Sequence, residues 1–522
     1  MEPCRSSERA DIVSPARLQG FSDAVFATAA TLLVIPIRKF ELEGNETLKE
    51  GLLRKYPQLL VFLVGFLVIC TIWESHILRF KVIARIDDFI VVMTLISLMF
   101  TTFLPFTVAL EGKYGQTEIA VVLPCIVLLV LELIESCVFG YAFFTPRLLS
   151  SSIQRLDQQE MRVKKAQIFG KIGINCTLFI LAAAFSALDV VVSWVLIVSV
   201  IFTPLIRRLL AYCNRRYCCP LIEGRSRIAV LAGKIDKERI EYFSDAAIAI
   251  VATLLVLDIT TEDFPKDSAV KKDGLGRTLI NMRPMFVGYM GCFTAVAILW
   301  FVHHSILHQI KLLTAAMNLC NNLFLAFLAG TPFVSTLVNK FTGHVSHNEK
   351  IAVRFSCVIL FGAGFMQFTL FVLAYWNRNR LMHSWAIPNG SAGHRTHIYL
   401  LLKTLIVPLV TFITFCTSIS TDKATFIVYH VSLVAVPVLF VLLKIAFACH
   451  CNQRSSETDP SSIENSTEER GIGNSNTETD LVNDQTSESV CLSPKSEAVC
   501  LRPEAVCLSR KEEGEDDGIP AE

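Results

Sequence analysis

The chain has 522 residues, 52% of them hydrophobic and only 18% charged, with a mean hydropathy of +0.50. That is too apolar for a soluble domain with a wetted surface, so a soluble enzyme and a secreted disulfide scaffold are both excluded. The formal net charge of +1 hides an asymmetry, because residues 450–522 hold 6 Lys/Arg against 17 Asp/Glu while the remainder holds 42 against 30.

Residues 1–16 read as a polar cytosolic N-terminus without a cleavable signal, so the first apolar run must direct insertion. Runs long enough to cross a hydrocarbon core as helices follow near 19–37, 57–77, 89–109, 119–143, 167–186 and 190–206. A basic linker (211–238) separates them from six more near 241–259, 284–306, 314–338, 355–376, 399–418 and 426–448. Arg79, Lys81 and Arg85 follow the second span, Arg155, Arg162, Lys164 and Lys165 the fourth, and Arg207 and Arg208 lead into a linker that holds Arg215, Arg216, Arg225 and Arg227. Lys/Arg excess marks the cytosolic side, so alternation makes both termini cytosolic and the loop at 38–56 lumenal. Asn45 in that loop heads an Asn-Glu-Thr glycosylation sequon, whereas Asn389 and Asn465 fall on the cytosolic side. The fold expected is an all-α integral membrane protein of twelve helices: a first six-helix repeat over 17–210, a second over 239–449, and an acidic tail (450–522) too polar to bury a core. Many of the 17 cysteines lie within the apolar runs and read as small hydrophobes.

Internal repetition organises the body. Arg17, Phe21, Ser22 and Asp23 recur as Arg239, Phe243, Ser244 and Asp245, and each copy continues into Ala-Thr-Leu-Leu-Val. Trp73 and His76 recur as Trp300 and His303, and Pro105-Phe106 as Pro332-Phe333. The offset grows from 222 to 227 residues across the first loop only, as duplication of a six-span unit requires. Six is even, so the copies are parallel.

The doubled motif has two readings. Ser22 or Asp23 could cap the first helix. Alternatively Arg, Ser, Asp, Trp and His form a polar cluster between spans one and two, which would satisfy ionisable groups that lipid penalises and fix the tilt of the first helix. After the motif the first span is rich in Ala and Thr, which suits close helix packing or a pore wall equally. Positions five, eight and twelve after each aspartate share one helix face: Thr28, Thr31 and Ile35 in the first half, Ile250, Thr253 and Leu257 in the second. Two such helices per chain could supply half the wall of a four-helix pore. Glu74, Glu132, Glu135, Lys171 and Lys403 lie within spans and are expected to pair inside the bundle or snorkel. His303-His304 is no metal pair, since adjacent residues diverge on a helix; no cluster has metal or nucleophile spacing, so no cofactor, covalent chemistry or nucleic-acid partner is expected.

Arg-x-x-x-Phe-Ser-Asp, present twice in six-span repeats, resembles the endosomal and lysosomal potassium channel family called transmembrane protein 175. The resemblance covers nearly all of residues 15–450. It implies a homodimer in which four copies of the first span surround the path of potassium ions and protons, with no Gly-rich filter of the TVGYG kind; gating proteins would bind its cytosolic surfaces. In the family an isoleucine on the first span forms the constriction, with threonine and leucine in the next layers. Ile250, Thr253 and Leu257 match, as does Thr31. Thr28 and Ile35 depart from the pattern, and a hydroxyl at half of the constriction lowers the barrier to a hydrated ion. The competing class is a secondary transporter, which twelve spans in two parallel halves also describe.

Overall fold

The computed structural model describes residues 14–203, 236–261, 264–341, 347–387, 390–420 and 425–457. Among them the chain is helical, with two isolated backbone bridges and no sheet. Among the described residues nine helices are long and apolar enough to cross a membrane, and two shorter apolar helices, Val190–Ile201 and Val431–Phe447, accompany them. Residues 204–235 (the linker up to 235 among them), the tail from 458 and the sequons at Asn389 and Asn465 lie outside the described residues.

The first helix, α1 (Pro15–Leu32), begins where Ser14 caps the Arg17 amide and Pro15 occupies the first turn, a position that needs no amide proton. The sequence suggests one unbroken span to residue 37, but the helix turns at Leu33-Val34 and resumes as α2 (Ile35–Arg38). Pro36 explains half of this, because it cannot donate to the Leu32 carbonyl. The other half is a tightened turn in which the Val34 amide reaches Thr31 O at 3.3 Å. The same turn recurs without proline in the second half, with the Val256 amide on Thr253 O at 3.3 Å.

Helix α3 (Leu48–Val82) is fourteen residues longer than the apolar run that announces it, because Thr47 and Glu50 form a capping box well before the apolar run starts. α4 (Asp88–Tyr114) starts at an Asp87 cap, and α5 (Glu118–Phe144), α6 (Gln158–Phe185) and α7 (Val190–Ile201) complete the first half. α3 packs closely on α4, where a side chain on Gly65 would approach Val108 Cγ1 to 2.9 Å.

The second half opens with α8 (Lys237–Leu254) and α9 (Leu257–Thr261), then two seven-residue helices, α10 (Asp267–Asp273) and α11 (Leu275–Asn281). α12 (Arg283–Gln309) follows, and the next span is split at Gly330 into α13 (Ala315–Ala329) and α14 (Thr331–Phe341). α15 (His347–Trp376) and α16 (Gly390–Ser420) precede α17 (Thr425–Glu457). α17 runs eight residues into the segment expected to be unstructured; no Pro or Gly stands between residue 450 and Pro460 to stop it.

Contacts repeat between the halves. Ile83 bridges Leu149 and Ile310 bridges Met382, each tying the loop after one span to the loop after the span two further on. Lys171 on α6 donates to Ser75 at 2.5 Å, and Lys403 on α16 to Ser305 at 2.6 Å. α1 and α8 pack directly against each other, and both contribute to the same buried apolar cluster.

Candidate functional site

The site is built where α1 meets α8. Trp73, fully buried on α3, donates its indole N–H to Asp23 Oδ1 at 3.0 Å. Asp23 Oδ2 also receives Arg239 Nη2 from α8 at 2.5 Å, and the Trp73 ring stacks on Phe243 with centroids 3.9 Å apart and planes at 23°. The motif of the second half therefore supplies its Arg and Phe to the Asp and Trp of the first. A charge buried in a membrane bundle must be paired, and this arrangement pairs Asp23 with a cation 216 residues further along the chain. The cluster was legible in outline from the sequence; its crossing between halves was not.

The capping reading of the motif fails, because Ser22 and Asp23 lie two turns inside α1 and Ser14 is the cap. Ser22 Oγ donates to Leu18 O at 2.8 Å, and Ser244 Oγ accepts from Asn321 at 3.2 Å. Trp300 donates to Asp245 Oδ1 at 2.8 Å, as Trp73 does to Asp23. Here the likeness stops. Asp245 is exposed with no cation against it among the described residues, Trp300 is 40% exposed, and Phe21 is 53% exposed. Arg17, exposed on α1, has no side-chain partner among the described residues.

The histidines diverge. His76 Nδ1 lies 3.3 Å from Glu135 Oε1, with Phe26 and Phe80 against its ring. His303 stacks on Phe324 at 4.8 Å and neither ring nitrogen has a hydrogen-bond partner. Sequence reasoning placed Arg79 in a cytosolic loop; it is fully buried, because α3 continues to Val82. Its guanidinium donates to both Glu135 oxygens and, at 2.8 Å, to Thr94 Oγ1. Glu135 was expected to pair inside the bundle; what the sequence did not show is that its cation is Arg79. Two other carboxylates take hydrogen bonds from neutral amides: Glu132 accepts from Asn175 at 2.6 Å, and Glu74 from Asn318 and, at 3.0 Å, Asn322 of the C-terminal half.

Above this cluster, five of the six positions read as pore-facing are accessible in the chain: Thr28, Ile35, Ile250 and Leu257 are half-buried and Thr253 is exposed. Thr31 differs. It is 1% exposed, with its hydroxyl donating to Ala27 O at 2.9 Å. Thr28 also spends its proton internally, on Ala24 O at 2.7 Å, so towards solvent it offers a methyl group and oxygen lone pairs. The loop after α2 is folded down by Arg54, which grips Glu46 through two nitrogens at 3.2 and 3.0 Å and Glu43 at 2.7 Å. Hydrogen bonding from Arg54 holds the Glu46 carboxyl below the usual carboxylate range. Asn45 is exposed in the turn beside it. Among the described residues no group of His, Cys, Asp and Glu could hold a metal ion.

The family model for "Endosomal/lysosomal potassium channel TMEM175" matches residues 17–105 and 239–332, the first spans of both halves. The chain is 31% identical over 443 residues to a zebrafish protein named endosomal/lysosomal proton channel TMEM175, covering 82% of this chain and 83% of that one. The chain belongs to the TMEM175 family. A human TMEM175 protein of the same description is 30% identical over 438 residues, covering 82% of this chain and 85% of that one. A protein named as a potassium channel from Chamaesiphon minutus is 32% identical over 160 residues, 30% of this chain and 77% of that one. A crystal structure of a TMEM175 homologue from the same organism aligns with a TM-score of 0.33 and 21% identity, over 39% of this chain and 97% of that one.

Proposed function

We propose that the chain is a cation channel of endosomal and lysosomal membranes, conducting potassium and protons through a pore lined by the first helices of two six-helix repeats, twelve spans per chain. The observation that carries this is the half-finished ring at α1 and α8. Within one chain Arg239 and Phe243 engage Asp23 and Trp73, while Arg17, Phe21, Asp245 and Trp300 remain open. A second copy related by a twofold axis brings its Arg17 to Asp245 and its Phe21 to Trp300, repeating the intrachain contact and closing four helices around an axis. Such a contact is isologous, as in most homodimers.

The accessible face of that ring carries Thr28 and Ile250 at one level, Thr253 above, and Ile35 and Leu257 beyond the turn. An apolar constriction of this kind gates by dewetting rather than by coordinating a dehydrated ion. Two Thr28 lighten it, although each hydroxyl proton is already held by Ala24 O. Thr31, buried between helices, supports the tightened turn of α1 instead of facing ions. Charge placement supports cytosolic termini, with Asn45 on the lumenal side and open to glycosylation. The membrane names come from the relatives.

The test is whole-organelle patch clamp on enlarged endolysosomes expressing the full chain. The expected result is a current whose reversal potential follows the potassium and proton gradients with no co-substrate present. Flux that saturates with a second solute and vanishes without it would establish a transporter instead.

A further inference from the structure

At the end of the bundle away from the Arg239–Asp23 pair, one half again grips the other. Phe40, two residues after α2, is buried with its ring edge-on to Phe333 (6.3 Å, 69°) and Phe341 (6.2 Å, 76°) of α14. Its carbonyl accepts from Lys340 Nζ at 2.8 Å. Phe40 is a guest, and two aromatic rings with a lysine are its seat.

The chain contains a second guest and a second seat that do not meet. Phe264, three residues after α9, is 65% exposed. Phe106, Lys113 and Tyr114 stand 227 residues before Phe333, Lys340 and Phe341, the same register that relates Trp73 to Trp300. Phe106 is 52% and Tyr114 48% exposed, and Lys113 Nζ lies over the ring of its own neighbour Tyr114 at 5.2 Å. Exposed aromatic rings clustered with a cation mark a recognition surface, and here the occupant is specified by the filled copy of the same seat.

We propose that Phe264 of each chain docks between Phe106 and Tyr114 of a second copy, with Lys113 donating to the Phe264 carbonyl, so that two symmetric clasps close the lumenal rim of the dimer. This rests on the dimer reading above and adds the contacts at its far end. The Arg17–Asp245 contact joins the copies near the cytosolic face, and the clasps join them near the lumenal mouth.

Disulfide trapping tests the clasp in the full-length chain. Chains with Phe264→Cys and chains with Tyr114→Cys, carrying different tags, are co-expressed and oxidised in native membranes. Leu188→Cys, 80% exposed in another loop on the lumenal side, replaces Tyr114→Cys as the control. The clasp predicts a covalent pair of differently tagged chains at several times the control yield. Equal yields, with the mass of the purified wild type that of a dimer, would overturn the clasp and leave the dimer standing; aromatic anchoring in the lipid headgroups would then account for Phe106 and Tyr114. A purified wild type with the mass of a monomer would overturn both. As a second readout, Phe264→Asp should weaken dimerisation at least tenfold; an unchanged dissociation constant counts against the clasp.

Discussion

Arg239→Gln removes the cation that holds Asp23 from α8. The pair is 2.5 Å apart with side chains 13% and 3% exposed, so the aspartate left behind is buried and keeps only the Trp73 N–H. Removing one partner of a buried ion pair costs about 3–5 kcal/mol, largely for the stranded charge. Arg239 keeps some access to water, which places the expected loss near the lower end, about 3 kcal/mol. Adding Asp23→Asn removes the stranded charge, so the double variant should recover at least about 1.5 kcal/mol relative to the sum of the single losses. The assay is SDS unfolding of the full chain in mixed micelles, run on the wild type, both single variants and the double variant. Losses that simply add, or a single-variant loss under about 1 kcal/mol of the kind surface pairs show, would refute the coupling.

Trp73→Phe keeps the stack on Phe243 but deletes the N–H to Asp23, and should cost about 1.5–3 kcal/mol in the same assay, a charged hydrogen bond's worth. Glu111 is buried with Oε1 unpartnered in a small cavity bounded by Val61, Leu104 and Trp194; Glu111→Leu should stabilise the chain or leave it unchanged, by about 0–3 kcal/mol, and a marked loss would reveal a partner for the carboxyl. Thr28→Ile should lower single-channel conductance and sharpen potassium over sodium selectivity; identical conductance and permeability ratios would remove Thr28 from the constriction. The Glu46 carboxyl is depressed by Arg54, so the contribution of that pair is complete above the ordinary carboxylate value of about 4.3 and disappears as pH falls through the lower folded value. Hydrogen exchange across residues 41–54, corrected for intrinsic rates, should lose protection only below about pH 4; loss already at pH 6 would contradict the pairing.

The spans and the doubled motif are legible in the sequence because lipid imposes long apolar runs and makes every intramembrane charge conspicuous. Asp23 and Trp73 announce a partnership for that reason. Their partners do not announce themselves: Arg239 and Phe243 belong to the other motif, and only packing of α1 on α8 shows that the motif acts across the boundary. Arg79 misleads because a cation at the end of an apolar run reads as a loop residue, while helix α3 runs on past it to Val82 and Arg79 meets Glu135 inside the bundle. The turn at Leu33-Val34 shows only as Pro36, yet its counterpart at Leu255-Val256 has no proline; the shared cause is the amide closing on Thr31 or Thr253. Thr31 falls on the helix face that sequence spacing assigns to the pore, and that same turn sits beside its burial.

The claim that the first helices line the path is tested most directly by recording from Ile250→Asn beside Ile413→Asn, an equally drastic change on an exposed face of α16. A polar ring at the constriction should enlarge the current severalfold and weaken potassium over sodium selectivity in the first variant only, since a wetted constriction no longer closes. Currents from Ile250→Asn that match the wild type in size and selectivity, with the protein present at equal amounts in the membrane, would place the pore elsewhere.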